Sequence, residues 1–320
     1  MALPLEKLKA VKTIITHKSC ADGVASAIFL HDVLPNAEIR FVQYGTDDHR
    51  RLKAEHHMLF CDFSPHQDTY QSFVEADALI LDHHKGAQKI VEAFGVNGVF
   101  GDEVADPYAC GASLAYREVW EKLASDVANR DLSFATSLAK LSAVRDTWKN
   151  KDPDWAEACS VAETLRFYPE ESWLIANPFS LERKGWWEAR LGTGAVLVER
   201  NAQAVFKAVQ GAHRFRTPKG TRVVLFEGVR LSSDAAELVE QDADLVVGFD
   251  YMGIESGVAS LVFSTRSHTD FNCMEFCKAQ GGGGHTKAAG FPVKFDPKSA
   301  TLDPYTTFER LLVQHEETLG

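Results

Sequence analysis

The sequence predicts an α/β protein of two domains, a doubly wound parallel-sheet domain followed by a smaller α/β domain. Three observations predict it. Short apolar runs rich in β-branched and aromatic residues alternate with helical patterns in the first half, which is the signature of a parallel sheet covered by helices on both faces. A second group of strand-like runs follows a long helical and irregular stretch. The length of 320 residues is also more than one ordinary core accommodates.

Taken in order, "VKTIIT" (11–16), "EIRFVQY" (38–44), "HMLFCDF" (57–63) and "DALILDHH" (77–84) read as buried strands. Between the first two, "DGVASAIFLHDVL" (22–34) has helical spacing of its apolar residues. From 110 to 149 the pattern is helical throughout, and it continues over 154–168. Residues 168–187 carry prolines and tryptophans and read as irregular. Trp186 and Trp187 are read as core or interface packing, with base stacking as the alternative. Residues 194–210 look like one amphipathic helix within a passage between domains (168–211). The boundaries expected are 1–190 for the first domain, 191–215 for a linker helix and 216–320 for the second. In the second domain, 222–228, 244–251 and 257–266 read as strands. Residues 232–241 read as a helix capped by Ser232 or Ser233, and 273–280 as a further short helix.

Composition narrows the function classes. Hydrophobic residues make up 45% and charged residues 25%, as in a soluble globular protein. No stretch approaches the ~20 apolar residues that span a bilayer, and the N-terminus lacks a signal peptide's apolar region. A cytoplasmic protein with no membrane partner is expected. The six cysteines are scattered and read as reduced thiols. The net charge of −11 argues against a broad grip on long duplex DNA. It leaves room for a small phosphorylated substrate, because bound cations make a local site positive. The basic stretch 211–230 reads either as a nucleic-acid rim or as a solvated edge strand.

The chemistry collects at strand ends. His17 follows the first strand, with Asp22 close behind; Asp62 ends the third; Asp82, His83 and His84 end the fourth. In open α/β sheets the loops beyond the carboxyl ends of the strands line the ligand crevice. One such residue alone is ordinarily a cap or a solvated loop residue, but three strand ends together point to a metal site. A mixed Asp/His set suits a transition metal, and Mn²⁺ fits it well, with Fe, Co or Zn as alternatives. The set is large enough for a pair of ions bridged by a carboxylate, the arrangement that serves hydrolysis at phosphorus. Near the other end, "GGGGHTKAAG" (281–290) places Gly282, Gly283 and Gly284 before His285 and Lys287. Glycines permit close backbone approach and positive φ, and successive N–H groups can form an anion nest.

These segments resemble the DHH phosphoesterase superfamily. "LDHH" resembles its signature, "HKSCADGVASA" its first motif, "FCDFS" its second and "SAVRDTW" (142–148) its fourth, and "GGGGHTKAAG" looks like the hallmark of the DHHA1 domain that follows in one branch. The resemblance implies a DHH metal-binding domain and a DHHA1 substrate domain with a cleft between them. It implies that Asp62 bridges two ions, that Asp22, His83 and Asp146 complete one ion's ligands, and that His17 binds the other. It also implies that Asp82 orients a histidine and that His84 faces the scissile phosphate, with Arg266, Gly282, Gly283, Gly284 and His285 holding the nucleotide. Cys20 is a departure, standing near a position where family members commonly have aspartate. It is either a softer ligand or a buried thiol beneath the site.

The expected activity is hydrolysis of short linear oligonucleotides or dinucleotides such as pGpG to mononucleotides, as in the nanoRNase branch. The alternatives are RecJ-type single-strand exonucleolysis, cyclic-dinucleotide hydrolysis, and a weakly catalytic nucleotide sensor. A homodimer is compatible with the sequence.

Overall fold

Thr13–His17 (β1), Glu38–Val42 (β2), Met58–Cys61 (β3), Leu79–Asp82 (β4) and Gly98–Phe100 (β5) form one parallel sheet in the order β2-β1-β3-β4-β5. The structure is a computed structural model describing residues 3–124, 129–239, 241–255, 257–298 and 302–318. The chain divides into two units, 1–198 and 199–320. The predicted strands hold to within a few residues. β5 is additional: its three residues are too short to show a period, and they pair with the outer edge of β4.

The sheet of the first unit is buried on both faces. Ile14, Leu59, Cys61, Leu79 and Leu81 point into one core, while Ile15, Phe60 and Ile80 point into another with Phe73, Val91 and Phe94. This alternation is the period of two of a strand. It explains why these strands read as continuous apolar runs, as parallel strands buried on both faces do. The helix Ala21–Val33 is buried along nearly its whole length. It packs against Gly111–Ala115, Leu132–Asp146 and Trp155–Phe167.

Three expectations for this unit need correction. The helical run 110–149 is interrupted: it is continuous over 111–123, with a π-helical turn at Tyr116–Trp120, breaks at Ala124, and is helical again over Leu132–Asp146. Residues 125–128 of that run lie outside the described residues. The stretch 168–187, inside the expected first domain (1–190) although also read as the start of a passage, belongs to the first unit, because Trp173, Phe179 and Trp187 are buried in its core. It also contains the start of a helix, Lys184–Leu191. Trp187 donates from Nε1 to the Pro178 carbonyl at 2.6 Å, which is a packing role.

In the second unit, His213–Arg216 (β6), Arg222–Glu227 (β7), Leu245–Glu255 (β8), Val258–Arg266 (β9), Gly283–His285 (β10) and Ala288–Phe295 (β11) form a mixed sheet in the order β10-β11-β9-β8-β7-β6. Only β7 and β8 pair in parallel. One face packs Phe263, Phe276, Phe291 and Phe308, the other Val205, Val209, Ala235 and Val246. The basic stretch includes β6, an outer strand, so charge there also protects an open edge.

Neither Ser232 nor Ser233 caps the helix Ser232–Leu238. A short turn leads into that helix, and the hydroxyls serve β9 instead: Ser232 Oγ lies 3.0 Å from Ser264 Oγ, and Ser233 Oγ accepts from Arg266 Nε at 2.8 Å. The strand β11 and the helix Pro304–Thr318 are additional to the elements the sequence predicts. The helix carried a legible start signal, since Asp303 accepts from the Thr306 N–H at 2.8 Å and Pro304 stands at the first helical position.

Candidate metal centre

The parallel register decides which side chains meet. Thr16 pairs with Cys61, and Cys61 with Leu81. The next residue on each strand is therefore His17, Asp62 and Asp82, one row at the carboxyl edge of the sheet, with His83 one step beyond.

Asp62 turns out of β3 with φ 57°, a left-handed conformation that Asp tolerates better than most residues. Its N–H donates to the Leu81 carbonyl at 3.0 Å. That turn sends the carboxylate between two imidazoles. Oδ1 is 3.2 Å from His83 Nε2, and Oδ2 is 3.8 Å from His17 Nδ1. Around the same His83 nitrogen stand Asp146 Oδ2 at 3.5 Å and Asp22 Oδ2 at 3.7 Å. Asp146 is the last residue of Leu132–Asp146, and Asp22 lies in the first turn of Ala21–Val33.

Asp22 is held from behind. Its two oxygens accept from the Gly111 N–H at 2.5 Å and the Ala112 N–H at 2.8 Å. Gly111 must be glycine: a Cβ there would stand 2.3 Å from Asp62 Cβ and 2.9 Å from Asp22 Oδ2. Gly23 is similarly enclosed, 2.2 Å from the His17 carbonyl oxygen.

Asp82 is fully buried. Its Oδ1 accepts from the His83 N–H at 2.7 Å, the His84 N–H at 3.0 Å and His84 Nδ1 at 2.7 Å. Its Oδ2 accepts from Ser64 Oγ at 2.5 Å and Tyr44 Oη at 3.4 Å. Asp82 thus sets the proton of His84 on Nδ1.

The electrostatics divide the carboxylates. Burial, then the charges of Asp62 and Asp146, push the Asp22 carboxyl well above its usual range. Burial, then Cys20, push Asp62 up as well, against the opposing pull of His17. Burial also opposes ionisation of Asp82, but the charges and hydrogen bonds of His84, His83 and Ser64 outweigh it and hold that carboxyl low. The Cys20 thiol is pushed up to about 12 by burial, then by Asp146 and Asp22. A cavity crowded with buried carboxyls that repel one another's charge is suited to a cation.

Three sets of donor atoms lie within 4.8 Å of one another: His17, Cys20 and Asp62; Asp62, His83 and His84; and Asp22, His83 and Asp146. The fit to a metal rests on two atoms in particular. His17 Nδ1 and Asp62 Oδ2 are buried, face each other, and have no hydrogen-bond partner among the described residues. Leaving such atoms unsatisfied is costly unless a ligand completes them.

The second unit arranges its candidates on adjacent strands. His285 pairs with Ala288, and Ala288 with Arg266, so one row crosses β10, β11 and β9. Arg266 donates to Ser233 Oγ, to Ser264 Oγ at 2.9 Å and to the Thr265 carbonyl at 2.8 Å. Lys287 donates from Nζ to the Thr269 carbonyl. Two of the glycines have internal reasons. A Cβ on Gly282 would meet the Gly290 carbonyl oxygen at 2.1 Å, and Gly284, at φ 138°, would meet the Ala288 oxygen at 2.6 Å. Gly283 has open space around it.

Sequence reasoning missed Ser64, Tyr44, Gln43 and Gly111. Only Gly111, at the start of a helical pattern, carried a local signal.

No protein-family profile matches the sequence. No curated protein matches it either. Among solved structures, the fold resembles a DHH-domain structure described as a member of the s1p family of ribosomal proteins, with a TM-score of 0.61 and 14% identity over 96% of this chain and 87% of that one. It also resembles the pGpG-specific phosphodiesterase PggH of Vibrio cholerae, with a TM-score of 0.50 and 13% identity over 97% of this chain and 100% of that one. The chain shares its fold with these two structures, with a five-stranded parallel sheet in the first unit and a six-stranded mixed sheet in the second.

Proposed function

We propose that this chain is a DHH-type, metal-dependent phosphodiesterase that hydrolyses short linear oligonucleotides or dinucleotides such as pGpG to mononucleotides. One observation carries the reading: the Asp62 carboxylate stands between His17 and His83, and its Oδ2 faces His17 Nδ1, both atoms buried and without a hydrogen-bond partner among the described residues. The likeness in fold to a pGpG-specific phosphodiesterase supports the substrate class.

In this reading Asp22, Asp62, His83 and Asp146 hold one divalent ion, and His17 and Asp62 a second, with Cys20 beside it. The mixed donor set favours Mn²⁺ or a neighbouring transition metal over Mg²⁺. Bound ions of this kind supply Lewis-acid stabilisation of phosphoryl charge and acidify water at neutral pH.

The remaining work falls to the chain. Gly111 and Ala112 hold Asp22 through their N–H groups, so its position is set before any ligand arrives. Asp82, supported by Ser64 and Tyr44, keeps the His84 proton on Nδ1 and orients the ring. That leaves Nε2 as the nitrogen His84 offers toward a phosphate or leaving-group oxygen. Arg266, Gly282, Gly283, Gly284 and His285 position the nucleotide, with Gly283 the glycine whose open surroundings suit close approach.

The test is a product assay with Mn²⁺ over linear dinucleotides, 3- to 7-mers, cyclic dinucleotides and long single strands. Release of mononucleotide from pGpG, abolished by EDTA and restored by Mn²⁺, is expected. Preference for cyclic or long substrates overturns the substrate class, and binding of pGpG without turnover makes the protein a sensor.

A further inference from the structure

Gln43 follows the last residue of β2, beside the end of β1, where His17 pairs with Val42. It lies in none of the segments that suggested a metal site. Its side chain is held by backbone at both ends. Oε1 accepts from the Tyr44 N–H at 2.9 Å, and Nε2 donates to the Lys18 carbonyl at 3.4 Å. An amide whose oxygen already receives an N–H and whose nitrogen already meets a carbonyl has one orientation. His17 Nε2 lies 2.9 Å from that same Oε1. An amide oxygen only accepts, so the imidazole nitrogen facing it carries the proton. A neutral imidazole protonated on Nε2 has its lone pair on Nδ1. Nδ1 is the atom that is buried, partnerless among the described residues, and 3.8 Å from Asp62 Oδ2. The ring is also braced by Tyr44, edge-on with centroids 5.1 Å apart.

We propose that Gln43 is a positioning residue: it fixes the proton of His17 on Nε2 and so presents the Nδ1 lone pair beside Asp62 Oδ2 to a divalent transition-metal cation. This rests on the metal-centre reading above and assigns a cause to the competence of its second ion site. Without an acceptor at that place, the proton would distribute between the two ring nitrogens. The Nδ1–H form has no lone pair to offer toward Asp62, and the ring would lose its anchor.

The experiment reads two quantities in the full chain. Long-range proton–nitrogen correlation spectra of the metal-free protein, at a pH where the imidazole is neutral, identify the His17 tautomer. Mn²⁺ titration measures ion affinity and stoichiometry. Wild-type protein is expected to carry the proton on Nε2. Gln43→Met fills the same volume without an acceptor; it should mix the tautomers and weaken the second ion by roughly 10–100-fold. Gln43→Glu keeps an acceptor and should restore both. A wild-type proton on Nδ1 overturns the proposal and needs no variant to detect. A Gln43→Met protein in which only one of the two readouts moves, or neither, also overturns it. A wild-type protein that takes up no Mn²⁺ at all overturns the metal-centre reading and this proposal with it, whereas the other adverse results overturn this proposal alone.

Discussion

Asp62 Oδ1 lies 3.2 Å from His83 Nε2, although the two residues belong to different strand ends. The contact exists because β3 and β4 pair in parallel with Cys61 opposite Leu81, and because Asp62 takes a left-handed backbone turn at φ 57°. Everything proposed for the first unit depends on that carboxylate.

Asp62→Ala is accordingly expected to lower pGpG hydrolysis by more than the roughly 10–100-fold typical of losing an outer partner of a metal ligand. Calorimetric Mn²⁺ stoichiometry should fall in parallel. A variant that keeps full turnover would remove Asp62 from the site.

Gly111→Ala tests the packing behind the centre. The added Cβ would stand 2.3 Å from Asp62 Cβ and 2.9 Å from Asp22 Oδ2, so both carboxylates must shift. A loss of about 1–3 kcal/mol in denaturant stability is expected from overpacking, together with weaker Mn²⁺ binding. Gly185→Ala, also in a helix and with nothing within 4 Å of the new Cβ, is the control and should keep or slightly raise stability.

Cys20 has a spectroscopic test. Its thiol is grouped with His17 and Asp62, and it is held protonated by burial and by Asp146 and Asp22. If a thiophilic ion displaces that proton, Co²⁺-loaded protein shows a sulfur-to-cobalt charge-transfer band that Cys20→Ser loses. No band in the wild type, or a band unchanged in Cys20→Ser, makes Cys20 a half-buried thiol that does not bind the ion.

His49 predicts a pH dependence of stability. Burial lowers its folded pKa from 6.5 to about 4, with Ser64 opposing in part. Between those values the unfolded chain binds more protons than the folded one, so stability rises with pH across the window and is lost as pH falls from 6.5 toward 4. Going from pH 7.5 to pH 5 should cost about 2 kcal/mol at this residue. Urea unfolding of wild type and His49→Asn at the two pH values checks it, and an equal pH response in both proteins refutes the assignment.

Local pattern carried much of the fold. The runs around 13–17, 58–61 and 79–82 are apolar on both faces and could only be buried strands, and Ala21–Val33 showed its helical spacing plainly. Elements without a sufficient local pattern escaped. β5 has three residues, and the hairpin of β10 and β11 begins in glycines that read as a loop. The glycines illustrate the difference well. Their identity was legible, but Gly282 and Gly284 turn out to be enclosed by the backbone of β11, leaving Gly283 as the open one.

Among described residues no helix is long and apolar enough to cross a membrane, in keeping with the absence of long apolar runs from the sequence. The sequence by itself placed His17, Asp62, His83 and His84 at one edge of the sheet, because residues at the carboxyl ends of parallel strands share that edge, whereas Asp22 and Asp146 lie on helices. Only the tertiary structure decided which donor faces which. Asp22 is separated from Gly111 by 89 residues, and His17 from Gln43 by 26. Contacts at such range depend on register, on one left-handed backbone turn and on the space a missing Cβ leaves, none of which has a period that a sequence can display.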